Sequence, residues 1–173
     1  MGPLVGVSGT QYLSPTQVGI LLLLSFAAAA HTPVATRNLK LRVSDGRLEG
    51  VLTFHLPAAG AQVYALAPDP AVALVPRATA GLRIEPLQPK IRQATARRGP
   101  DGSIDATYLL DAGPSAPALT IHVEAEPPLP IDLDGPFTLE SGPGAARKGG
   151  LSLRPRPGMP CKITWAGSPD TRR

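Results

Sequence analysis

The sequence predicts an all-β protein: a single antiparallel β-sandwich, immunoglobulin-like, that follows an N-terminal signal segment. Three observations carry this. The 21 prolines fall too densely for helices of several turns, because each interior proline removes a hydrogen bond and clashes with the preceding turn. The longest proline-free stretch, Val34 to Leu56, alternates apolar and polar residues with period two, the spacing of a half-buried strand. Further short alternating runs, divided by proline and glycine turns, recur down the rest of the chain, as a sandwich requires.

In chain order, the first element is the apolar run Val18 to Ala30, VGILLLLSFAAAA. It has the composition of a signal-peptide h-region, and Ala28 and Ala30 occupy the small positions before a cut. A membrane-spanning helix needs ~20 apolar residues, and the polar flanks Gln17 and His31 close this run sooner. Residues 1–30 are therefore expected to be a signal peptide, 31–167 the β-sandwich domain and 168–173 a disordered tail. One departure from the signal pattern is that the first basic residue is Arg37, so the n-region carries only its α-amino charge.

Asp45-Gly46 is the turn of the first hairpin, since both central positions of a type I′ turn need positive φ. It sets Ser44 opposite Arg47, Val43 opposite Leu48, Leu41 opposite Gly50 and Leu39 opposite Leu52. Arg42 meets Glu49 on the other face, and Thr36 meets His55. A second hairpin is expected at Gly99-Pro100-Asp101-Gly102, with a bulge at the final glycine. That register pairs Arg97 with Asp105 and Thr95 with Thr107, and puts Ala94 and Ala96 on the buried side with Ala106 and Tyr108.

Later strands are expected around Leu119-Ile121-Val123-Ala125, Ile131-Leu133, Phe137-Leu139, Leu151-Leu153 and Cys161-Ile163-Trp165. Between the hairpins, Val63–Leu66, Val72–Val75 and Leu82–Leu87 each read as strands, with a short helical turn as the alternative for one of them.

Charge and composition then narrow the function. The net charge of +4 is modest. The cluster Lys90, Arg92, Arg97 and Arg98 contains no carboxylate, but no aromatic residue interleaves with it, so the stacking platform of a single-strand nucleic-acid binder is missing. A solvated strand face accounts for it. The lone Cys161 cannot form an intramolecular disulfide, and its alternation with Ile163 and Trp165 puts it on the buried side, where it acts as a small hydrophobe. No nucleophile elbow, zinc-protease helix, phosphate loop or paired-cysteine metal pattern occurs. Glu124, Glu126, Asp132 and Asp134 flank Pro127-Pro128 and are read as a solvated rim where carboxylates converge at one end of a hairpin. Asp132-Leu133-Asp134-Gly135 lacks the further ligands of a calcium loop.

The histidines His31, His55 and His122 remain as neutral-pH acid/base or metal candidates. His122 falls on the polar face of its strand beside Glu124. His31 becomes the N-terminal residue after cleavage, and a free α-amine with an adjacent imidazole chelates copper(II), with a second histidine completing the site. In the first hairpin's register His55 lies on the face away from the core, at the strand end nearest His31. In these respects the chain resembles exported copper-binding β-sandwiches of the copper-resistance type. The resemblance implies a copper site at His31 and His55; the other reading of His31 is the residue left by the cut.

Two functions follow as expectations. The first is an exported, non-enzymatic β-sandwich, periplasmic or secreted, that serves as a binding or accessory module of the cell envelope. It has no cofactor, its partner is a protein or envelope component rather than nucleic acid, and it is not an integral membrane protein after cleavage. The second is a periplasmic copper-binding protein that uses the mature N-terminal histidine.

Overall fold

The computed structural model describes residues 34–64 and 66–165. The expected signal peptide, His31 and the tail 168–173 lie outside the described residues. The chain is mostly β, in two sheets. Among the described residues no helix is long and apolar enough to cross a membrane.

Strands β1 (Thr36–Ser44) and β2 (Arg47–Leu56) form the first hairpin. Asp45 and Gly46 have φ of 50° and 71°, as a type I′ turn demands, and the pairing runs from Ser44 with Arg47 to Thr36 with His55 as the turn predicts. Strands β3 (Leu82–Glu85), β4 (Lys90–Arg98) and β5 (Ile104–Pro114) follow. The β4–β5 hairpin has the expected register, Arg97 with Asp105 and Thr95 with Thr107. Gly102 adopts a φ of 85°, while the Gly99 N–H donates to Ser103 O at 2.9 Å and the Gly102 N–H to Gly99 O at 3.1 Å.

One part of that expectation fails. Ala106 and Tyr108 are buried, but Ala94 is only half-buried and Ala96 is exposed. The reason is position: β4 ends the sheet, so alternation there does not bring burial.

The later strands are β6 (Ala118–Val123), β7 (Ile131–Asp134), β8 (Phe137–Ser141), β9 (Gly144–Arg147), β10 (Gly150–Leu153) and β11 (Cys161–Trp165). The larger sheet runs β4-β5-β2-β1-β7-β10-β9 and the smaller β3-β6-β11-β8. The larger sheet is not wholly antiparallel as expected, because β1 and β7 pair in parallel with Leu39 beside Ile131. Nor do the acidic residues flank one hairpin. β6 belongs to the small sheet and β7 to the large one, so the segment around Pro127-Pro128 crosses between sheets and separates the two pairs of carboxylates.

The segment between β2 and β3 is largely helical, where strands and at most one short helical turn were expected. Ala58–Ala61 is a single helical turn (α1), Gln62–Tyr64 a 3-10 turn and Pro70–Ala78 a helix (α2), while only Leu82–Glu85 becomes a strand. Local chemistry overrides the β-branched composition at α2. Asp69 caps it, accepting from the Ala71 and Val72 N–H groups at 2.9 and 3.2 Å, and Pro70 sits at the first helical position, where its missing N–H costs nothing. At the other end both the N–H and the hydroxyl of Thr79 bond to Val75 O. Ala71, Leu74 and Ala78 form its buried face.

That face packs over β2, β4 and β5, and the buried Tyr108 hydroxyl donates to Ala71 O at 2.9 Å. Burial, with the charge of Asp69 second, pushes the Tyr108 hydroxyl up to about 12. One core results, drawing Leu39, Leu41 and Leu52 from the large sheet, Ile121 and Ile163 from the small sheet and Leu74 from α2.

Arg37 pins this arrangement from inside. Its guanidinium donates to Pro127 O, Ala78 O, Ala80 O and Ala125 O at 2.5 to 3.1 Å. It is 3 % exposed, and burial lowers its pKa. The side chain thereby joins the start of β1 to the end of α2 and to the crossover between sheets.

Candidate functional site

The large sheet's inner face holds the core, and its outer face is open. Alternation from the Asp45-Gly46 turn points Glu49, Val51 and His55 of β2 outward with Lys40 and Arg42 of β1. The β2–β5 pairing sets Val51 beside Leu109 and Glu49 beside Asp111. Val51 and Leu109 are 36 % and 40 % exposed, which makes them an apolar floor rather than part of the core. Lys40, Arg42, Glu49, Arg92 and Asp134 stand around that floor and enclose a groove of about 540 Å³.

Ion pairs set the walls of this groove. Arg42 meets Glu49 at 3.3 Å. Asp111 accepts from Arg47 at 3.0 and 2.8 Å, from Arg92, and from the Gly113 N–H at 2.9 Å. The Gly113 N–H foremost, then the two guanidinium groups, hold the Asp111 carboxyl down at about 2 against its partial desolvation. Asp111 thus ties the two hairpins together. On the far side Arg147 pairs with Asp134, and Asp132 accepts from the Ser152 hydroxyl at 2.8 Å. The expected acidic rim is therefore half-neutralised by β9, a strand whose Gly-Ala-Ala-Arg sequence carries no apolar alternation.

His55 lies on the same outer face, opposite Thr36 as the turn predicts. Its Nδ1 is 2.7 Å from Asp105 Oδ1. An ionised carboxylate only accepts, so Nδ1–H is the donor of this bond, and in a neutral ring Nε2 is then the acceptor. Metal-bound histidines are commonly oriented by a carboxylate in this way. His31 lies outside the described residues, and among those described no group of three His, Cys, Asp or Glu side chains is placed to hold a metal.

The other candidates stay apart from this face. His122, on the small sheet, lies between Glu85 at 3.6 Å and Glu124 at 3.9 Å. Cys161 is fully buried as alternation predicts, with Sγ 3.4 Å from Pro143 O, and burial raises its thiol pKa.

Sequence reasoning missed Leu109 and Asp111 as members of the site. The signal was present in Tyr108-Leu109-Leu110-Asp111, whose alternation puts 109 and 111 outward. The pairing of β5 with β2, which sets Leu109 beside Val51 and Asp111 beside Glu49 far back along the chain, is what local patterns do not reveal.

No protein-family model matches the sequence, and no curated protein is significantly similar to it.

Proposed function

We propose that the chain is an exported, non-enzymatic β-sandwich of immunoglobulin-like type, a periplasmic or secreted binding or accessory module of the cell envelope. Its partner, a protein or envelope component, is held on the outer face of the large sheet. The observation that carries the binding role is the groove there: an apolar floor of Val51 and Leu109 within a charged rim. Apolar centres inside polar rims are how recognition surfaces are built, and strands hold this one rigid. Two sheets around one core support the sandwich, while the seven-and-four division and the parallel β1–β7 pair differ from the antibody arrangement of strands.

Two measurements test the reading. A photo-crosslinking residue at Leu109 should capture a partner in living cells while one at Thr138, on the small sheet, should not; equal labelling refutes the groove. Intact-mass measurement of the protein from the cell envelope should show loss of residues 1–30, and a full-length cytoplasmic product overturns export.

A second reading, a periplasmic copper-binding protein, is favoured by the orientation of His55 through Asp105. Copper would then be held by the His31 amine and imidazole together with His55 Nε2. Titration of the processed protein should show tight binding that is lost in His31→Ala, in His55→Ala and on adding one residue before His31. Binding unchanged by these three variants rejects the site.

A further inference from the structure

We propose that β4 is a docking edge for an extended, acidic strand of another protein. This rests on the binding-module reading and deepens it by naming the partner's chemistry. β4 is the terminal strand of the large sheet, with β5 as its neighbour. The Gly99 N–H to Ser103 O bond fixes the phase of the antiparallel ladder. Alternation of bonded and non-bonded pairs then makes Arg97–Asp105 and Thr95–Thr107 the bonded ones. The N–H and C=O groups of Ala94 and Ala96 point away from β5. Among the described residues no strand pairs with β4 on that side, and no turn or loop hydrogen bond reaches Ala94 or Ala96. Their methyl side chains leave room for the backbone of an added strand to approach, and Ala96 is exposed.

Charge selects the occupant. β4 carries Lys90, Arg92, Arg97 and Arg98 and no carboxylate. Asp105, which faces Arg97 across the ladder, is turned to His55 instead, so among the described residues Arg97 has no ion pair, nor does Lys90. A glutamate on an added strand beside Arg97 makes a favourable cross-strand pair. A second copy of β4 would instead set cations against cations along one seam, the device by which edges avoid self-pairing. Nucleic acid offers anions but not the main-chain donors and acceptors that Ala94 and Ala96 present. Strand addition to an open sheet edge uses those groups for affinity and the side chains for choice of partner. The edge is also continuous with the groove, whose wall includes Arg92 and Gln93.

The test uses the purified full chain and a short peptide alternating glutamate with valine, with a lysine–valine peptide as its control. At a concentration about ten times its Kd, the acidic peptide should slow amide exchange at Ala94 and Ala96 about tenfold, as linkage requires, and the lysine peptide should leave it unchanged. Ala96→Pro removes an outward N–H without touching the β4–β5 ladder and should abolish binding. Arg97→Glu should weaken it about tenfold, one favourable charge pair having become unfavourable, and decides the matter if the proline variant fails to fold. Unchanged exchange at both alanines, equal binding of the lysine peptide, or self-association that Arg97→Glu strengthens would each overturn the proposal. None of those results touches the crosslink at Leu109 or the processing at His31, so the binding-module reading fails or stands separately.

Discussion

The β1–β2 and β4–β5 hairpins are closed by related glycine turns, yet one occupies the middle of the large sheet and the other ends it. Inward residues of β2, namely Leu48, Leu52, Phe54 and Leu56, are at most 1 % exposed, whereas Ala94 and Ala96 of β4 are not buried. The arginines diverge likewise: the buried Arg37 of β1 gives its donors to four backbone carbonyls, and Arg97 of β4 stands in solvent. Turn chemistry decides which residues face each other. The strands and helices on either side decide what that facing is worth.

The largest effect should come from the interior hairpin's core. Phe54→Ala should cost ~3–5 kcal/mol of stability in denaturant titration, while Ala96→Ser at the edge stays within ~0.5 kcal/mol. Equal losses would erase the distinction. Next come the arginines: Arg37→Leu strands its carbonyl acceptors and should cost about 3 kcal/mol, against ~0.5 kcal/mol or less for Arg97→Leu. A near-neutral Arg37→Leu would mean that those carbonyls find water instead.

The turns should behave alike and so mark where the comparison stops. Gly46→Val should destabilise by ~1 kcal/mol or more, because a β-branched residue is strained at positive φ. Its Cβ meets no atom within 4 Å, so strain alone is measured. No loss would refute the type I′ assignment.

The smallest expected effect concerns Asp111, which links the hairpins through Arg47 and Arg92. Its folded-state pKa is depressed to about 2. The stability it contributes is therefore present above the ordinary carboxylate value near ~4 and is lost as pH falls through about 2. Thermal melts from about pH 5 downward should show that loss. Asp111→Asn should flatten this part of the profile, and an unaltered acid limb would assign it to other carboxylates.

Much of the large sheet was legible because its information is local. Asp45-Gly46 and Pro100-Asp101-Gly102 carry backbone constraints that propagate residue by residue along each pair of strands. α2 was misread for the same reason: Val72 to Val75 suggested a strand, and the Asp69-Pro70 start signal with the i, i+3, i+7 spacing of Ala71, Leu74 and Ala78 went unused. Arg37 resembled any cation at a strand's start, since its acceptors are backbone carbonyls that have no sequence signature. Of the candidate site, the outward turn of Glu49, Val51 and His55 followed from the hairpin. Asp105 as the partner of His55 and Leu109 as the second half of the floor depended on a strand pairing that no local rule predicts.

The parallel β1–β7 pair has a consequence in time. A hairpin closes on the scale of ~1–10 μs, so β1 finds β2 almost at once. Its other neighbour lies far downstream, with Leu39 waiting for Ile131. Such distant pairings slow folding, because loop entropy is lost before contacts compensate it. A β1–β2 ribbon formed before the downstream strands would have Leu39, Leu41 and Leu52 bare on one face and open strand edges. The edge of β1 stays unpaired until β7 arrives, and an unpaired strand edge in a part-folded chain favours aggregation.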